Sequence, residues 1–87
     1  MTEKELRKVV VNNIHAAMER ARIPSVNILA RRAKVGQSAL SRVMRLEGCM
    51  TTDRLASVAK ALGVQPWELL VDDQATREEA MKRMLGK

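Results

Sequence analysis

An all-α domain of five short helices is what this sequence predicts, on three observations. Its 87 residues contain no Phe, no Tyr and one Trp, so the core must be aliphatic. Ala, Leu, Met, Arg, Lys and Glu favour helices, whereas strands favour β-branched and aromatic residues. Apolar residues recur at spacings of three and four, the period of one helical face. A chain this short buries only about 60–65% of its unfolded surface, which allows a single small core.

The first helix is expected over residues 3–22, with Leu6, Val10, Ile14, Ala17, Met18 and Ala21 inward and Pro24 ending it. Ser25 is placed to cap a second helix of little more than two turns, with Val26, Leu29, Ala30 and Ala33 inward. Lys34-Val35-Gly36 interrupts the pattern. A third helix follows over 37–47, with Leu40, Val43 and Met44 inward and Gly48 as its stop. Thr51 or Thr52 can cap the fourth, whose stripe is Leu55, Val58, Ala59 and Leu62. Gly63 followed by Val64 has the form of a Schellman ending, and Pro66 suits the first position of a short fifth helix through Leu70.

Residues 73–87 form a tail in which Thr76 and Glu79 have capping-box spacing and Gly86 can end a short sixth helix. Met81 with Leu85, and Ala80 with Met84, share faces, so such a helix needs a surface to pack on. The domain is expected over 1–72, with its central two helices at about 25–46.

Net charge is +6 and unevenly placed. Residues 25–50 carry five Lys/Arg against one acid, while 51–71 and 72–87 each balance to zero. A localised basic face suits a polyanion, nucleic acid foremost; on charge alone a solubilising surface fits equally well. One cysteine, Cys49, excludes an intrachain disulfide framework and fits a reducing compartment. No apolar run approaches the roughly 18 residues of a membrane span, and residues 1–5 lack signal-peptide character, so a cytoplasmic protein is expected.

Gln37, Ser38, Ser41, Arg42 and Arg45 fall at i, i+1, i+4, i+5 and i+8, one acid-free stripe opposite Leu40 and Val43. Gln can pair bidentately with adenine and Arg with guanine, while Ser serves base edges or phosphates. A short helix, a tight turn and a helix bearing this face is a geometry that enters a major groove. The bland reading of the stripe is a solvated helix face.

Residues 25–43, from Ser25-Val26-Asn27-Ile28-Leu29-Ala30 to Gly36-Gln37-Ser38-Ala39-Leu40-Ser41-Arg42-Val43, resemble the helix-turn-helix of the λ-repressor-like (Cro/repressor, XRE) family. Gly36-Gln37-Ser38 looks like the opening of the recognition helix in phage repressors. Lys60-Ala61-Leu62-Gly63-Val64-Gln65-Pro66-Trp67-Glu68-Leu69-Leu70 is similar to the closing helices of the same domain. The resemblance covers about residues 6–71.

Three positions depart from the family pattern. Val26 stands where a Gln usually braces the first recognition residue, Lys34 replaces the turn Gly, and Met44 replaces a frequent Glu. By resemblance, Gln37, Ser38, Ser41 and Arg42 read bases. Asn27, Arg31, Lys34, Arg45, Thr51 and Thr52 hold phosphates, with helix N-terminal amides assisting.

Outside the stripe, little in the sequence suits chemistry. His15, the only histidine, reads as a surface residue with no second ligand for a metal. Cys49 reads as a buried or partly buried thiol rather than a nucleophile. No triad can be assembled and the four glycines are isolated, so an enzyme is not expected; neither is a cofactor, a metal or a small-molecule ligand. Trp67, with Leu69, Leu70 and Val71, reads either as a core plug or as a dimer contact that Met81, Met84 and Leu85 extend.

The resemblance implies a bacterial or phage operator-binding regulator of repressor or Cro type, acting on double-stranded DNA as a homodimer. The competing readings are an antitoxin or adaptor-type protein-interaction module and a non-specific architectural DNA binder.

Overall fold

The computed structural model describes residues 2–71. They form α1 (Glu3–Ala21), α2 (Val26–Ala33), α3 (Gln37–Met44), α4 (Thr52–Leu62) and a closing 3-10 turn (Pro66–Leu69). The element expected as a fifth helix is this single 3-10 turn, so there are four α-helices among the described residues. The sixth helix, and with it Met81, Met84 and Leu85, lies outside them.

Side chains start three of the helices. The Thr2 hydroxyl accepts from Glu5 N–H, Ser25 from Ile28 N–H and Thr51 from Arg54 N–H, each at 3.2 Å. Of the two threonines expected to cap α4, Thr51 does so. The 3-10 turn opens with a capping box in which Gln65 N–H donates to the Glu68 carboxylate at 2.6 Å. α3 begins at Gly36 and has no side-chain cap.

All four helices end the same way. A residue in left-handed geometry turns the chain, and the following amide reaches back to a carbonyl in the last turn. The turning residues are Arg22, Lys34, Leu46 and Gly63, with φ of 57°, 59°, 64° and 75°. The returning bonds are Ile23 N–H to Met18 O, Val35 to Ala30, Glu47 to Arg42 and Val64 to Ala59, at 2.8–3.0 Å. Only Gly63 adopts this geometry without strain; the other three each oppose it by roughly 1 kcal/mol or more. Two expectations are corrected here. α1 stops at Arg22, ahead of Pro24, and α3 stops at Met44 because Leu46, not Gly48, makes the turn.

The core is Ile14, Ala17, Met18, Ile23, Leu29, Ala30, Ala33, Leu40, Val58, Ala59, Leu62 and Leu69. α2 packs on α3 and α4, α1 spans α3 and α4, and the 3-10 turn wedges between α1 and α4. Leu69, almost fully buried, is the residue that closes the core, while Trp67 is half-buried. Leu6 and Ala21, expected inward, are exposed; Val9, Val11 and Asn13 are buried instead. Asn13 is the one buried polar residue among those described. Its side-chain amide donates to the carbonyl oxygens of Leu69 (2.9 Å) and Val71 (2.8 Å) and so ties the closing turn to α1.

Candidate nucleic-acid interface

α2, the 34–36 turn and α3 form a helix-turn-helix. The turn is tight because Lys34 is left-handed and Val35 folds back over α2, where its side chain joins the core margin. α3 is then held from behind by Leu40 and Val43, both buried, with Met44 packed at the core edge. Met44, which replaces the family's frequent Glu, therefore serves packing. Val26 does likewise at the start of α2.

The outward stripe of α3 is open. Gln37, Ser38 and Arg42 are exposed and Ser41 is half-buried. None of these four is covered by another element among the described residues. Above them, the first-turn amides of α3 have no side chain capping them, which leaves donors facing outward at the positive end of the helix.

The polar and basic residues expected to hold phosphate are open to solvent. Asn27, Arg31 and Lys34 are exposed on α2 and the turn, as are Thr51 and Thr52 at the start of α4. Among the described residues, Arg31, Lys34 and Arg42 make no ion pair. Arg45 differs, because its Nε donates to Glu47 at 2.7 Å in an exposed pair. The turn at Leu46 brings that acid alongside the stripe, which the linear spacing did not reveal. The Thr51 hydroxyl accepts the α4 cap bond and keeps only its own proton to donate elsewhere.

Two further exposed cations lie on the elements around α3, and the sequence pattern does not mark them. Arg32 is exposed in the last turn of α2. Arg54, in the first turn of α4, borders a small hollow with Val35, Ala39 and Leu40, which places it against the helix-turn-helix. Its neighbour Asp53 hides it in a charge count, since residues 51–71 sum to zero.

His15 is exposed, as expected. Cys49 is exposed as well, contrary to expectation, and accepts from an Arg7 guanidinium nitrogen at 2.9 Å. The chain turns outward there between α3 and α4, so the thiol sits on the rim of the fold rather than within it.

A scan against protein-family models matches residues 13–75 to the Cro/C1-type helix-turn-helix DNA-binding domain. The chain belongs to this Cro/C1-type family. Neither curated proteins nor solved structures yielded a match. As a Cro/C1-type domain the chain is a DNA-binding regulator, of a family that is typically non-enzymatic, and DNA is its partner. The matched span begins at Asn13, the residue that anchors the closing turn, and takes in every flanking group named above. Among the described residues no helix of this Cro/C1-type domain is long and apolar enough to cross a membrane.

Proposed function

We propose that the protein is a sequence-specific operator binder of Cro/repressor type that works as a homodimer on double-stranded DNA. The observation that carries this reading is the uncovered face of α3, a helix braced by Leu40 and Val43 and bearing Gln37, Ser38, Ser41 and Arg42 outward. In a major groove, Gln37 and Arg42 supply bidentate base contacts, and Ser38 and Ser41 take base edges or nearby phosphates. Asn27, Arg31, Lys34, Thr51 and Thr52 set the register on the backbone, with Arg45 joining them once it leaves Glu47.

Two such helices, about 34 Å apart on one face of the duplex, define a palindromic site. The dimer contact is assigned to the closing end of the domain, centred on the half-buried Trp67. Occupying promoter DNA then represses transcription. The unit responsible is residues 1–72, in a bacterial or phage setting.

Selection of bound fragments from random duplex DNA tests the whole reading. The expected result is a consensus with two inverted half-sites one helical turn apart, favoured over random DNA by about 10³-fold or more. Recovery of fragments without a shared sequence overturns it in favour of non-specific binding.

A further inference from the structure

A groove of about 340 Å³ lies between α1, the connection after α3, the start of α4 and the end of the closing turn. Val10, Val43, Met50 and Leu55 line it together with Leu6 and Leu70, two large apolar side chains that are 38% and 42% exposed. Glu3, Arg7 and Cys49 stand at its rim.

The chain leaves the described structure beside this groove. Leu70 is part of the lining, and the next carbonyl, that of Val71, is held by Asn13, one helical turn along α1 from Val10. Sixteen residues follow, 72–87. Their apolar members Ala80, Met81, Met84 and Leu85 fall at i, i+1, i+4 and i+5, a single narrow helical face. Their four acids, Asp72, Asp73, Glu78 and Glu79, all precede that face, and the charged lining of the groove is mixed, Glu3 beside Arg7.

We propose that residues 76–86 fold back on their own chain and lay Met81, Met84 and Leu85 into this groove, covering Leu6 and Leu70. Reach is no obstacle, because the four residues 72–75 alone span about 13 Å when extended at about 3.3 Å per residue, and Leu70 is already part of the groove. A tether this short also holds the segment at an effective concentration in the millimolar range, so a modest apolar contact suffices. Methionine suits an irregular groove because its unbranched thioether adapts to the space available. This assigns Leu70 and the tail to packing within one chain and leaves Trp67 for a dimer partner. It does not rest on the DNA-binding reading.

Cys49, the only thiol, supplies the test. A nitroxide placed on it in ¹⁵N-labelled full-length protein should broaden the amide signals of residues 80–86 several-fold, and reducing the nitroxide should restore them. A mixture of untagged ¹⁵N protein with excess tagged unlabelled protein should broaden these signals far less than the tag on the same chain does. Unaffected 80–86 signals in the tagged chain overturn the proposal. Broadening in the mixture as strong as in the tagged chain also overturns it, since the tail then occupies the groove of a second copy. Because the tag sits at the rim, melting of untagged Leu6→Ala, Met84→Ala and the double variant gives an independent reading. A double loss in Tm clearly smaller than the sum of the single losses supports docking, and strict additivity overturns it.

Discussion

Arg45 and Glu47 face each other across Leu46, the left-handed residue that ends α3, and their side chains meet at 2.7 Å. The pair is exposed at 61% and 58%, so it contributes little to folding. Its effect falls on the proposed interface, where it places a carboxylate beside the α3 stripe and occupies the Arg45 guanidinium. Glu47→Gln is therefore expected to tighten DNA binding by about 2–5-fold at low salt, on the scale of an exposed ion pair. The slope of log K against log salt should steepen by up to about 1 as Arg45 is released. Titration at several salt concentrations measures both, and an unchanged slope removes Arg45 from the phosphate contacts.

Lys34 separates strain from contact. At φ 59° it holds a geometry that glycine adopts freely, so Lys34→Gly should stabilise the fold by about 1 kcal/mol. In a domain of this size that raises Tm by roughly 4–8 °C. If the ammonium also lies on phosphate, the same variant binds DNA more weakly and with a shallower salt slope. Thermal melting and DNA titration of one protein should thus move in opposite directions.

Gln37→Ala and Arg42→Ala are expected to cost about 1–3 kcal/mol each on the preferred site and to relax its sequence at the base each one reads. Competition against random duplex makes the distinction. Equal losses on both DNAs mean that these side chains touch backbone only.

Removing the amide of Asn13 leaves the carbonyls of Leu69 and Val71 without that donor, the first of them in a buried bond. Asn13→Ala should destabilise the protein by about 2–3 kcal/mol in denaturant unfolding. Asn13→Asp should be worse at neutral pH, since an ionised carboxylate can only accept and would face two further acceptors.

What the sequence made legible was local. Ser25 and Thr51 cap because a hydroxyl and an amide three residues on suffice, and Gly63-Val64 ends α4 through atoms of the same turn. The inward faces of α2 and α4 followed from period alone. The endings at Arg22 and Leu46 did not, because a non-glycine residue carries no mark of left-handed geometry and adopts it only when the surrounding fold outweighs the strain. Asn13 was hidden for another reason: its partners lie 56 and 58 residues away, so nothing nearby explains a polar side chain on a buried face. In the candidate interface the exposed stripe could be read from spacing, whereas Arg54 and the Arg45–Glu47 pair became visible only once the chain had turned.

Trp67 is the sole indole, and no tyrosine accompanies it, so the intrinsic emission of this protein comes from one position. That position lies in the closing 3-10 turn, two residues before Leu69. Fluorescence thus watches the seam between the two ends of the domain, while circular dichroism watches its helices. A seam that parts before the helices melt would shift the emission to the red at a temperature where ellipticity is still intact, giving local opening its own spectroscopic channel.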